Sequence, residues 1–69
     1  MTTENVFGRR LQQLRERRRI SRRVLAELCG LSKNMIGRYE RGERRPTLET
    51  VVVLAAFFGV TVDWLLGRE

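Results

Sequence analysis

Three cations of this sequence stand at positions where helices usually avoid positive charge. Arg22 and Arg23 follow Ser21, and Lys33 follows Ser32; serine is a residue type that commonly begins helices. A cation in the first turn of a helix opposes the helix dipole and costs up to about 1 kcal/mol. Phosphate oxygens near such helix starts would satisfy the side chains and the free backbone N–H groups together. The pattern therefore predicts phosphate binding, although for Arg23 we favour a side chain that simply extends into solvent.

A polar face follows on the helix that Ser32 begins. It consists of residues at spacing i, i+1, i+4 and i+5, opposite an apolar face: Lys33, Asn34, Gly37 and Arg38 against Met35, Ile36 and Tyr39. Lysine and arginine match the hydrogen-bonding edge of guanine, and asparagine matches that of adenine. Each good pair is worth roughly 1–3 kcal/mol of discrimination between bases. The alternative is a merely solvated helix face.

The positive charge of the chain is confined to one region. Residues 9–45 hold 13 of the 14 basic residues and four of the eight acids, a net charge of +9. The remaining segments carry one arginine and four acids, a net charge of −3. This asymmetry indicates a polyanionic partner. An arginine-rich genome composition is the competing explanation, because 13 of the 14 basic residues are arginine.

The apolar residues recur at helical spacing, which predicts five short helices over a single domain, residues 1–69. The first is expected over about residues 4–18, begun by Thr2 or Thr3, with Phe7, Leu11 and Leu14 inward. The second begins after Ser21, carries Leu25, Ala26 and Leu28, and ends at Gly30. The third begins after Ser32 and is closed by Gly42.

Two further helices are predicted after the only proline, Pro46. The fourth follows Thr47, covers about residues 48–58 and ends at Gly59. It is apolar on most of its surface, as expected of a buried element. A strand is the rival structure for residues 51–58, but the flanking cap residues favour a helix. The fifth follows Thr61, runs through Leu66 and ends at Gly67.

Residues 22–41 have the pattern of a helix-turn-helix motif. Ala26 is small where a second helix must cross close to its backbone. Gly30 stands at the turn, where a positive φ is usually required. Leu31, Ile36 and Tyr39 are placed to pack beneath the turn. A small residue, a glycine and a β-branched residue at the fifth, ninth and fifteenth positions complete the pattern.

Four segments extend this motif to a resemblance that covers nearly the whole chain. They are, in order, "RLQQLRERR", "LAELCGLS", "MIGRYERGERRPTLET" and "LAAFFGVTVDWLLG". Their order and spacing resemble the lambda-repressor-like DNA-binding domains of the Cro/repressor (XRE) family. The resemblance implies an all-α, compact five-helix bundle. It also implies a sequence-specific double-stranded DNA-binding transcriptional regulator, a repressor that inserts its third helix in the major groove and binds a two-fold-symmetric operator as a homodimer.

The resemblance also assigns roles to individual residues. The positions that face base edges in the family are Lys33, Asn34 and Arg38, with Gly37 between them. The expected backbone contacts are Arg22, Ser32, Arg41, Arg44 and Arg45. Arg15 and Glu40 match a semi-buried structural ion pair between the first and third helices. Arg22 stands where the family commonly has a glutamine that contacts a phosphate and braces the third helix. An arginine can still contact the phosphate. The bracing contact to the third helix is not expected from an arginine.

Gly37 requires its own explanation, because glycine inside a helix costs roughly 1 kcal/mol relative to alanine. The corresponding family position is often serine, another small residue. A bulky side chain between Asn34 and Arg38 would hold the helix away from the groove floor. We therefore interpret the bare position as one that admits close approach to DNA, with helix packing or evolutionary drift as the alternative.

Two residues are interpreted as parts of the structure. Cys29 is expected to be a small packed hydrophobe and not a redox switch. Trp64, with Val62, Leu65 and Leu66, is expected to be core with a partly exposed edge used in dimerisation.

Other function classes find little support. The sequence lacks histidine and has one cysteine, paired catalytic carboxylates are not evident, and no glycine loop is suited to phosphates, so neither an enzyme nor a metal site is expected. No cofactor or small-molecule ligand is expected. The longest apolar run, eight residues, is too short to span a membrane, and no signal-like segment is present, which predicts a cytoplasmic protein. A protein-interaction module on the same fold, of antitoxin or anti-repressor type, is the alternative function. Whether the chain is a whole protein or the DNA-binding part of a longer one stays open.

Overall fold

Five α-helices make up the computed structural model, which describes residues 5–68. They are α1 (Val6–Arg17), α2 (Arg22–Cys29), α3 (Lys33–Glu40), α4 (Leu48–Phe58) and α5 (Val62–Leu66). Within residues 5–68 there is no strand, and residues 51–58 lie in α4. The all-α prediction with five helices is therefore confirmed, including the choice of helix over strand for the apolar run.

Most helix ends lie where the cap residues predict them. Ser21, Thr47 and Thr61 each accept a hydrogen bond from the backbone N–H three residues further on. Gly30, Gly59 and Gly67 end the same three helices with left-handed backbone. Ser32 occupies the N-cap position of α3, but its side chain makes no capping hydrogen bond.

The start of α1 differs from the prediction. The helix begins at Val6, and its N-cap is Asn5, whose side chain accepts a hydrogen bond from the N–H of Gly8. Thr2 and Thr3, the expected caps, lie outside the described residues. Asparagine is as good an N-cap as serine or threonine, and cap type alone did not distinguish the candidates.

The core receives one fully buried side chain from every helix. These are Leu11, Leu25, Ile36, Leu54 and Leu65, all 0% exposed. Burial of each such side chain contributes roughly 1.5–3 kcal/mol. Phe7 and Tyr39 add an edge-to-face aromatic contact between α1 and α3, with ring centroids 5.6 Å apart. The helix-turn-helix motif, residues 22–41, is therefore fixed to α1 through the core.

One expectation about burial was wrong in part. Leu28 of α2, for which no burial was predicted, is 60% exposed, whereas α4, expected to be a buried element, is buried only on the face that carries Val51, Leu54, Ala55 and Phe58. Its outer face exposes Leu48, Val52 and Val53. A chain of 69 residues has too few elements to cover every side of an apolar helix. Among residues 5–68, no helix is long and apolar enough to cross a membrane.

Candidate nucleic-acid interface

The polar face of α3 forms one wall of an open cleft, called here the α3 cleft, of about 310 Å³. It is lined by the four predicted base-reading residues and three others: Lys33, Asn34, Gly37 and Arg38, with Arg22, Arg41 and Glu43. The side chains of Lys33, Asn34 and Arg38 are exposed. The structure thus gathers the sequence-predicted residues of α3 on one accessible surface and adds a carboxylate that the sequence did not single out.

A buried ion pair supports this surface from behind. Arg15 Nε lies 2.7 Å from Glu40 Oε2, and Arg15 Nη2 lies 3.1 Å from Glu40 Oε1. The Glu40 side chain is 1% exposed. The hydrogen bond to Glu40 raises the pKa of the Arg15 guanidinium, and burial opposes that rise. The pair connects α1 to α3 as the resemblance implied; its net stabilisation is not assumed, because desolvation can cancel the attraction.

Arg22 makes the bracing contact to α3, although this contact was not expected from an arginine. Its Nε donates to Glu40 Oε1 at 2.9 Å, so the start of α2 is tied to the end of α3. The long arginine side chain reaches a carboxylate that already accepts from Arg15. The Arg22 side chain is 46% exposed, and it lines the α3 cleft. One residue can therefore brace α3 and still present a positive charge to an anion.

Two residues that hold α3 in place were missed in the sequence. Asn5 Nδ2 donates to the carbonyl oxygens of Tyr39 and Glu40 at 3.0 and 3.1 Å. Gly8 of α1 lies against the backbone of α3, and a Cβ there would be 2.2 Å from the Tyr39 carbonyl oxygen. A glycine in the first turn of a helix was the available signal for this close approach.

Gly37 is buried in the free chain, beneath two arginine side chains. A Cβ at this position would lie 3.0 Å from Arg41 Nη1 and 3.5 Å from Arg22 Cδ. Both neighbours are flexible side chains and not backbone. The glycine therefore leaves room for these arginines, where the sequence suggested only an open gap in the face.

The Arg41 side chain turns back along α3 and does not lie beyond the helix end with Arg44 and Arg45. Its Nε donates to Glu43 Oε2 at 2.9 Å and its Nη2 to Glu43 Oε1 at 3.2 Å. The hydrogen bond from Arg41 lowers the pKa of the Glu43 carboxyl, desolvation opposes that shift, and the charges of Arg41 and Arg38 lower the pKa further. Arg44 and Arg45 are exposed and line a separate cleft with Asn5 and Pro46.

The remaining singled-out residues lie outside the α3 cleft. Ser32 is exposed at the start of α3, and Arg23 is exposed and paired with Glu27 at 3.2 Å within α2. Cys29 is partly buried, and burial raises the pKa of its thiol, so little reactive thiolate forms near neutral pH.

The α5 residues divide between core and surface. Leu65 is fully buried, whereas Val62, Trp64 and Leu66 are half-buried. The guanidinium of Arg10 lies 4.6 Å from the centre of the Trp64 ring and donates to the Trp64 backbone carbonyl. Among the described residues, no group of three or more histidine, cysteine or acidic side chains is placed to hold a metal ion.

This chain is similar to known proteins both in sequence and in structure. A family model described as helix-turn-helix matches residues 11–65. The transcriptional regulator AnsR of Bacillus subtilis is 45% identical over 60 residues, which are 87% of this chain and 52% of AnsR. This chain thus spans about half the length of that relative.

Two solved structures are similar along most of their length. The P22 c2 repressor, in complex with a synthetic operator, superposes with a TM-score of 0.86 at 27% identity, covering 97% of this chain and all of that one. The restriction-modification controller protein C.AhdI of Aeromonas hydrophila gives a TM-score of 0.78 at 35% identity over 88% of this chain and 90% of its own.

Proposed function

Because this chain belongs to the helix-turn-helix family, with a lambda-repressor-like fold, we propose that it is a sequence-specific double-stranded DNA-binding protein that represses transcription. The observation that carries the proposal is the α3 cleft: exposed cationic and amide side chains lie on a helix that is tied to Arg15 through Glu40 and to Asn5. The P22 c2 repressor, whose structure contains an operator, supports the same conclusion.

In this proposal α3 enters the major groove with its polar face toward the bases. Lys33 and Arg38 donate to guanine, and Asn34 forms a bidentate pair with adenine. Gly37 lies at the centre of this face beneath the side chains of Arg22 and Arg41, and it leaves room for them. The attachment of α3 matters because base-edge hydrogen bonds require the donors to be held in register.

The flanking residues contact the DNA backbone and position the helix. Ser32 offers a hydroxyl that caps nothing in the free chain, beside the free N–H groups at the start of α3. Arg22 supplies a charge from the start of α2, while Arg44 and Arg45 supply charges from the loop after α3. Arg41 belonged to this set in the sequence-based prediction, but its guanidinium lies over Gly37 in the α3 cleft.

The proposed DNA site is a two-fold-symmetric operator bound by a homodimer. The half-buried apolar side chains of α5, Val62, Trp64 and Leu66, support a dimer surface at that end of the molecule. A cytoplasmic location is part of the same proposal, since it is compatible with a DNA-binding role. The family match and the similar proteins support this DNA-binding role over the alternative, a module whose main partner is a protein.

Selection of bound duplexes from a random DNA pool tests the proposal. We expect a two-fold-symmetric consensus with half-sites about one helical turn, roughly 10 base pairs, apart. Affinity for the consensus should fall steeply with salt, with log K losing about 0.9 per phosphate contact for each unit of log salt concentration. Failure to retain any DNA at low salt, with tight co-purification of one protein, would instead favour the protein-interaction alternative.

A further inference from the structure

We propose that Arg41 is a further base-reading residue and that Glu43 is the positioning residue that aims it into the groove. This inference rests on the proposed DNA-binding function. The pair lies on the α3 cleft together with Lys33, Asn34 and Arg38.

Glu43 pairs with one edge of the Arg41 guanidinium, and the end that carries Nη1 makes no hydrogen bond among the described residues. Glu43 accepts from Nε and Nη2, a two-bond fork that fixes the plane of the guanidinium. The end of the guanidinium, formed by Nη1 and the second hydrogen of Nη2, still offers two donors. Two parallel donors match N7 and O6 of guanine, so the expected target is a G·C base pair.

Gly37 completes the arrangement. Arg41 Nη1 lies 3.0 Å from the position of a Cβ on residue 37, so a side chain there would require the guanidinium to shift by a few tenths of an ångström. Helix propensity alone would favour alanine at this position. The glycine is thus explained by the room that Arg41 requires, which gives residues 37, 41 and 43 one shared function.

The charge of Glu43 points to the same function. Glu43 is the one acidic residue among the described residues that line the α3 cleft, which is the surface proposed to bind DNA. A carboxylate there repels phosphates and weakens binding to every sequence. Glu43 is compatible with DNA binding because it stays paired with Arg41. The pair also orders the Arg41 side chain before DNA binds, which reduces the conformational entropy lost on binding.

The experiment compares base preference, position by position, for the wild-type chain and three variants: Arg41→Gln, Glu43→Gln and the control Arg44→Gln. The probes are the consensus duplex selected by the wild type and its single-base-pair variants. Arg41→Gln should lose a preference of roughly 5- to 150-fold at one G·C pair. Glu43→Gln should lose about 2- to 10-fold at that same pair while its affinity for random DNA stays equal or rises. Arg44→Gln should weaken binding to all sequences about equally.

A second pair of variants separates positioning from simple charge. Gly37→Ala keeps every charge, and it should reduce preference at the base pair that Arg41 reads. In an Arg41→Gln background, neither Gly37→Ala nor Glu43→Gln should change preference at that position further. Circular dichroism on each variant confirms that the fold is retained.

The possible failures are distinct. A Glu43→Gln variant that binds all sequences more tightly, with an unchanged preference, would show that Glu43 only competes with phosphates for Arg41, and the inference would be wrong. The same holds if Arg41→Gln keeps every base preference of the selected consensus. A wild-type chain that selects no DNA at all would overturn the proposed function, and the inference with it.

Discussion

Glu40 and Glu43 stand three residues apart and both bind arginines, yet they belong to different parts of the molecule. Glu40 is 1% exposed and joins Arg15 and Arg22, so it connects α1, α2 and α3. Glu43 is 51% exposed and holds only the nearby Arg41. The buried carboxylate of Glu40 therefore connects elements of the fold. The exposed carboxylate of Glu43 acts only on a surface side chain, since solvent screens its attraction to Arg41.

The largest expected effect is that of Glu40→Gln. This substitution leaves two arginines around a site that no longer carries a balancing charge, and breaking a buried pair in this way costs about 3–5 kcal/mol. Chains of this size commonly have a total stability of about 3–10 kcal/mol, so the variant should be largely destabilised. Urea unfolding measures the loss, with Glu43→Gln as the matched control that should hardly change it. Equal effects of the two substitutions would break the comparison.

The next largest effects on stability are expected from alanine substitutions at two glycines that lie inside helices. Gly8→Ala should destabilise the chain by about 1–3 kcal/mol, because its Cβ would meet the backbone carbonyl of Tyr39 at 2.2 Å. Gly37→Ala should stabilise it by up to about 1 kcal/mol, because only flexible arginine side chains stand in the way and alanine favours the helix. Thermal unfolding of both variants shows whether each substitution lowers or raises the unfolding midpoint. A destabilised Gly37→Ala would mean that the arginines over Gly37 cannot move.

The smallest effect is the pH dependence contributed by Glu43. The hydrogen bond from Arg41 lowers the pKa of this carboxyl in the folded chain. Its stabilisation is therefore present above the unfolded pKa, about 4.3, and is lost as the pH falls through the lower folded value. The small difference in unfolding midpoint between wild type and Glu43→Gln should disappear in acid. A difference that grows with acidification would contradict the assigned pairing.

The sequence predicts the backbone of this molecule better than its side chains. Ser21, Thr47 and Thr61 mark helix starts by a local mechanism, and the apolar spacing places one leucine or isoleucine of every helix in the core. The start of α1 was missed because several residues of cap type precede it. The exposed face of α4 was missed because apolar composition does not reveal which side lacks a partner.

The side chains of the candidate site depend on tertiary neighbours. The positions of the α3 polar face follow from helical spacing, and all four of its residues line one cleft. The orientation of Arg22 and Arg41 does not follow from spacing, because each long side chain has many rotamers. Glu40 and Glu43 select one orientation for each, and only the folded chain brings Glu40 within reach of Arg22.

We propose that Arg38 on α3 reads a base, whereas Arg44 in the loop after α3 contacts the DNA backbone. The most direct test of this difference measures the affinity of Arg38→Ala and Arg44→Ala for the selected consensus and for its single-base-pair variants. Arg38→Ala should lose preference at one base pair, roughly 1–3 kcal/mol, while Arg44→Ala should weaken all duplexes about equally. If both substitutions lower affinity and neither alters preference, the assignment of base reading to α3 is wrong.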